Sequence, residues 1–507
     1  MPCRFFSGFR MVTERDAARF MSAMLRTLRA HPDALALTLI LLAAATLRII
    51  FFPRAPVFIG GDSSQYYVPA HALMVGEGFP LPLKRPPFFP VFVALVGRGF
   101  GEDLRNVAAI QHIVGLGTVA LTYGIGKLAI GRAAAIVGGL IAAISGGLLI
   151  YEHYLMTEST FTFLLSAAVF LYLLGMKRDS TWAYLVSGLA VGLATLNRPH
   201  AQMLLAIGPP IVLLHTRRWR PALRAALLSS SVAALLIVPW MARNKLEHGA
   251  FTVAGAVGQN LVAQTAVFHY GNFVFYDPRN PPNDPNPKRL QARKFIQARS
   301  DDKQEKPWVE VTGVGIHARL MEELKLSENE ADSYMRDIAI DAIKARPLTW
   351  IRLVFDDFRL LWMGIPDELE YHWKLWETRN WPRRLSYLIG PASTEQEAGF
   401  ALTDRLVNIY QGPRLGPLIP GLFAIGLLTC AFTPAWWSGL LPGLTALSFY
   451  LVSAATVAFV PRYHHPTDPM MHVVAAAGLL GVIRTIKAIQ HRAQITQRRQ
   501  ESRPSTI

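Results

Sequence analysis

The chain alternates long apolar blocks with short polar turns. Its first block, "ALALTLILLAAATLRIIFF" (34–52), is long enough to cross a bilayer as a helix. Further blocks follow at about 106–130, 133–150, 158–175, 182–196, 201–215 and 222–241. A second group lies at about 415–433, 438–460 and 470–489. The pattern predicts an all-α polytopic membrane protein with about ten (10–13) transmembrane helices. Two polar segments stand apart, the loop 53–105 and the stretch 242–414. The expected organisation is a basic tail (1–33), a transmembrane core (34–241) containing the loop 53–105, a loop domain of mixed structure (242–414), C-terminal helices (415–489) and a second tail (490–507). Within 242–414, "YDPRNPPNDPNPKRL" is turn chemistry, and "SENEADSYMRDIAIDAIKARP" reads as a capped helix ending at a proline. "LTWIRLVFDDFRLLWMG" (348–364) is apolar but carries four charges, which suits a helix on the membrane surface or packed against the bundle. There is no fixed-period repeat of the kind that builds many transporters.

Composition supports this class. Of 507 residues, 51% are hydrophobic and 17% charged, far from a soluble chain of that length. The net charge of +16 matches cytoplasmic anchoring, and with no zinc pattern, basic heptads or RNA motif, no nucleic-acid partner is expected. Cys3 and Cys430 support neither a disulfide framework nor a Cys-based metal site. Basic residues mark alternate turns: Lys127 with Arg132, Lys177 with Arg178, and Arg217 to Arg224 share a side with both tails. The positive-inside rule places that side in the cytoplasm and puts 53–105 and 242–414 outside, at the plasma (inner) membrane. The first block reads as an uncleaved anchor, with Arg48 near its far end snorkelling to the headgroups.

The polar residues with chemical potential gather at that outer side. Asp62 and the pair Lys84-Arg85 lie in the first loop, and Glu158 opens an apolar helix. Arg198 in "LNRPH" and Arg243 after "VPW" sit at helix ends, and Arg462, Tyr463 and His464 stand in "PRYHHP". Cations at span ends are ordinarily headgroup anchors, whereas carboxylates are not favoured there. A sugar on a polyprenyl phosphate explains the mixture. Its leaving group departs as a phosphate dianion and needs positive charge, not a general acid. The acceptor hydroxyl needs a carboxylate to take its proton. Asp62 is therefore the candidate base with Glu158 as a second catalytic carboxylate; Lys84, Arg85, Arg243 and Arg462 are candidates for the donor phosphate. Tyr66, Tyr67, Arg198, Tyr463 and His464 are candidates for binding substrate, the tyrosines by stacking on sugar. No metal or other cofactor is expected, since the adjacent His464 and His465 do not easily face one ion.

An Asp followed by tyrosines, then a basic residue before Pro-Pro and aromatics, resembles the GT-C glycosyltransferases. The likeness is to the lipid A aminoarabinose transferase and protein O-mannosyltransferase group, with rhizobial galacturonosyltransferase-like enzymes. "MTESTFTFLL", "LNRPH", "VPWMARNKLEHGAF" and "PRYHHPTDP" occur in the same order as in that family. The resemblance covers about 40–270 and the last quarter of the chain. It implies an inverting transferase using a polyprenyl-phosphate sugar, with Asp62 in the catalytic position and Arg85 on the donor phosphate. The protein O-mannosyltransferases have Asp-Glu where this chain has Asp62-Ser63, which favours a glycolipid or cell-envelope glycan acceptor. The alternative class is a carrier or flippase for lipid-linked sugars, which needs the cations but no base.

Overall fold

The computed structural model describes residues 31–53, 57–59, 62–267, 272–301, 313–363, 418–457 and 463–501. Those residues are overwhelmingly α-helical, and their β pairing is a single bridge between Phe58 and Tyr154. The apolar blocks fold into α1 (Pro32–Phe51), α4 (Leu104–Ala129), α5 (Arg132–Ala143), α6 (Gly146–Tyr151), α7 (Glu158–Arg178), α8 (Thr181–Thr195), α9 (Met203–Thr216) and α10 (Trp219–His248). After the long polar segment come α16 (Leu418–Phe432), α17 (Leu440–Thr456) and α18 (Asp468–Glu501). Among the described residues, six helices are long and apolar enough to cross a membrane, and four shorter apolar helices accompany them.

Two local departures have clear causes. The block 133–150 is two helices, because Ser145 caps α6 by accepting from the Leu148 N–H at 3.2 Å and so restarts the helix after α5. The loop 53–105 holds α2 (Ser63–Val75) and the apolar α3 (Phe88–Phe100). At 13 residues α3 is too short to register as a span, yet its buried face packs with α2 and α4.

Small residues set the closest helix contacts. Gly426 of α16 lies against the Val474 carbonyl of α18, and Gly478 of α18 lies against the Leu422 carbonyl of α16. A Cβ at either would run into backbone, so the pair works as reciprocal notches, the usual device where lipid removes the hydrophobic drive.

The long segment, expected to be of mixed structure, is helical in the regular part of its described residues: α11 (Val257–Val262), α12 (Pro287–Asp301), α13 (Gly313–Leu324), α14 (Glu328–Ala345) and α15 (Pro347–Met363). Ser327 and Glu330 form a capping box at the start of α14. The Pro-Asn turn stretch is tied to α12 by Asp284, which accepts from Arg289 Nε at 2.7 Å and Arg293 Nε at 3.2 Å. A core of its own joins α11 to α14. The charged helix α15 packs against α17, where Trp362 meets Tyr450 at 6.5 Å, and Trp362 also lies edge-on to Phe423 of α16 at 5.0 Å. Of the two positions open to it, it therefore takes the one on the bundle.

Candidate functional site

The site begins with the Phe58–Tyr154 bridge. Phe58 N–H donates to His153 O at 2.8 Å, and Leu155 N–H donates to Phe58 O at 3.0 Å. The pairing is parallel, and each partner stands four positions before a carboxylate in the sequence, Phe58 before Asp62 and Tyr154 before Glu158. A second tie comes from the proline-stiffened turn: Phe88 N–H donates to Leu196 O at 3.0 Å, setting Lys84-Arg85 near Arg198.

Asp62 stands at the N-cap position of α2, where the helix N-terminus favours a negative charge. Arg85 grips it, Nη2 to Oδ1 at 2.5 Å. The same guanidinium donates to Gln65 Oε1 at 2.7 Å and to the Tyr66 hydroxyl at 3.0 Å, and lies over the Tyr66 ring at 4.9 Å. Lys84 behaves differently. It is half-buried and, among the described residues, makes no ion pair within 4.0 Å. Burial, then the Arg85 charge, pulls its ammonium down to about 8, while Asp62 and Glu328 oppose the fall. Two adjacent cations thus have different surroundings.

Glu158 is buried at the first turn of α7 and pairs with the buried Arg198. Arg198 Nε also donates to Thr157 Oγ1 at 2.7 Å, and its guanidinium lies 5.0 Å over the Tyr463 ring. Its Nη1 is buried and has no hydrogen-bond partner among the described residues. Tyr66 joins the halves. Burial raises its phenol, and Arg85, Asp62, Arg198 and Glu158 all act on it electrostatically.

The structure therefore brings together Asp62, Tyr66, Lys84, Arg85, Glu158, Arg198 and Tyr463. The other candidates are held by contacts of their own. Arg243 is engaged on its own helix, by an ion pair with Glu247, a 3.0 Å bond to Asn244, a place over Trp240 at 4.8 Å and a 3.2 Å contact with His248, which reaches Glu328 at 3.9 Å. Tyr67 faces His71 at 6.0 Å. His464 is buried, bonded to Leu361 O at 2.6 Å and to Asp468 at 3.3 Å, a carboxylate that also holds His465 at 2.9 Å. Arg462 lies outside the described residues.

One cluster escaped the sequence reading. Arg48 does not snorkel; it is buried and paired with the buried Glu152. Glu152 Oε2 meets His112 Nδ1 at 2.5 Å, and His112 Nε2 meets His153 Nε2 at 2.8 Å. Gln111 donates to the Glu152 and Tyr154 carbonyls at 3.0 and 2.9 Å. Gly115 on α4 leaves the room: a Cβ there would strike the Glu152 carboxylate. This network lies directly under the Phe58–Tyr154 bridge. The overlooked signal was a lone base and a lone acid, each inside an apolar stretch.

Residues 84–242 match the family model described as dolichyl-phosphate-mannose-protein mannosyltransferase. Over that stretch the chain is similar to membrane glycosyltransferases of the GT-C type. The GT-C match includes Lys84, Arg85, Glu158 and Arg198, and begins after Asp62. No curated protein matches by sequence. Among solved structures, the chain is similar to the archaeal oligosaccharyltransferase AglB from Archaeoglobus fulgidus in complex with an inhibitory peptide and a dolichol-phosphate, at 12% identity and TM-score 0.47, over 92% of this chain and 52% of AglB. It is also similar to ArnT from Cupriavidus metallidurans bound to undecaprenyl phosphate, at 15% identity and TM-score 0.37, over 91% of this chain and 80% of ArnT. The chain spans about half the length of the AglB structures it matches.

Proposed function

We propose that this protein is an inverting glycosyltransferase that moves a sugar from a polyprenyl-phosphate donor to a glycolipid or cell-envelope glycan, at the extracytoplasmic face of the plasma membrane. The observation that carries the reading is the contrast at the first loop. Asp62 is oriented by Arg85, while the neighbouring Lys84 is half-buried and makes no ion pair among the described residues. The family match over 84–242 supports it.

In the reaction the acceptor oxygen bonds to the anomeric carbon as the bond from that carbon to the phosphate oxygen breaks. The electron pair leaves with polyprenyl phosphate, and the acceptor proton passes to the Asp62 carboxylate. Lys84 neutralises the departing phosphate, a charge-assisted contact that strengthens as charge develops. Arg85, assigned to the phosphate on sequence grounds, instead fixes the carboxylate through its contacts with Asp62, Gln65 and Tyr66. Glu158 holds Arg198, whose buried Nη1, without a partner among the described residues, offers a donor to substrate oxygen. No step requires a metal.

The test is transfer by purified Asp62→Asn. A folded, membrane-inserted variant with at least about a hundredfold less transfer is expected, the usual worth of a general base. Near-normal transfer removes Asp62 from the mechanism. If a deletion strain shows unchanged envelope glycolipids by mass spectrometry but altered sidedness of lipid-linked sugar, the carrier reading replaces this one.

A further inference from the structure

The backbone of Leu83, the residue before the Lys84-Arg85 pair, is held on both polar groups. Its N–H donates to Glu328 Oε2 at 3.1 Å, and its C=O accepts from Gly255 N–H at 2.9 Å. Its side chain is buried against Gly255, where a Cβ would collide with it. Glu328 and Gly255 both belong to the long segment between α10 and α16, so residues 245 positions apart define one turn. Glu328 is free for this work because Ser327 and Glu330 already cap α14. The helix start is itself braced: His317 Nε2 bonds Glu328 O at 3.0 Å, and Asp332 Oδ1 accepts from Gln259 N–H at 3.0 Å.

We propose that Glu328 is a positioning residue through which α14 sets the Lys84-Arg85 turn and keeps the Lys84 ammonium charged. Resting on the donor-phosphate reading, the proposal assigns the helical segment a part in binding the donor rather than only the acceptor. The charges acting on Lys84 are Arg85, Asp62 and Glu328; Lys84 in turn acts on His317, and His248, whose Nε2 meets Arg243 Nη1 at 3.2 Å, lies with Nδ1 3.9 Å from Glu328. Arg85 and burial push Lys84 towards neutrality, and Asp62 and Glu328 oppose them. His317, itself drawn down by burial, adds no full charge near neutral pH. Removing the Glu328 charge leaves Asp62 alone against that push.

The experiment titrates Lys84 directly in the full-length, detergent-solubilised protein. Competitive labelling with an amine-reactive reagent is read by peptide mass spectrometry across pH. Glu328→Gln retains an acceptor for Leu83 N–H but loses the charge, so the Lys84 midpoint should fall and labelling below it should rise by about twofold to threefold. Glu328→Asp should restore most of the wild-type curve. A midpoint unchanged in Glu328→Gln overturns the proposal, because a purely structural contact would leave it in place. Farnesyl phosphate supplies the second arm. Protection of wild-type Lys84 that weakens about tenfold in Glu328→Gln supports the proposal. A shifted midpoint without protection in any variant sustains the positioning role and sinks the donor-phosphate reading instead.

Discussion

At the scale of single residues, the site separates two cations that the sequence sets side by side. Arg85 is planar and multiply bonded, suited to orienting Asp62, whereas Lys84 is a compact charge near its titration point. Lys84 binds a phosphate only as the ammonium. With its ordinary value lowered to about 8, it is charged below that pH and loses charge as pH rises through it. Above about pH 7, where the phosphate monoester is already a dianion, affinity for polyprenyl phosphate should therefore fall as pH rises through about 8, with a bound dianion pushing that midpoint up. Lys84→Ala should weaken binding about tenfold to a hundredfold at neutral pH and abolish that dependence. Arg85→Lys should bind the lipid phosphate but transfer slowly. Equal binding losses in both variants, measured by equilibrium titration, would return Arg85 to the phosphate.

At the scale of elements, the bridge between residues 57–59 and 153–155 decides where both carboxylates stand, and the Arg48–Glu152–His112–His153 network anchors it from below. A buried ion pair costs desolvation that its attraction and hydrogen bonds must offset, so breaking one half is worse than replacing both. Glu152→Gln or Arg48→Met alone should destabilise the protein by about 3–5 kcal/mol, and the double variant by clearly less than the sum. Thermal unfolding in detergent checks this, and strict additivity would mean that the pair does not act as a unit. The network also shows where sequence reading stops. Each apolar block was legible because a span needs about 20 apolar residues. Asp62 and Glu158 were legible because acids rarely open or follow such blocks. Nothing in the order of residues, however, pairs Arg48 with an acid 104 positions on, or Leu83 with Glu328. Such contacts exist only once the helices pack. The short α3 was hidden for the opposite reason: it is apolar enough but not long enough.

At the scale of the molecule, the seven assembled site residues lie on segments joined by the bridge, the proline turn and α14, and so share one end of the bundle. Which side of the membrane that end faces rests on the basic turns, and the donor chemistry depends on the answer: polyprenyl-phosphate sugars act outside, nucleotide sugars inside. Single-cysteine reporters in a Cys3→Ser background decide it. Ser63, beside Asp62, is fully buried and would stay silent on either side, so the reporter belongs at the exposed Glu77 just past α2. Its opposite number is Arg178, exposed at the end of α7, while the native Cys430 is buried and contributes little background. An impermeant maleimide should label Glu77→Cys in intact cells, or in spheroplasts where an outer membrane intervenes. Arg178→Cys should react only after permeabilisation. The reverse pattern would set Asp62 and Lys84 beside the nucleotide-sugar pool, and a polyprenyl-phosphate donor would then be excluded even with the glycosyltransferase assignment intact.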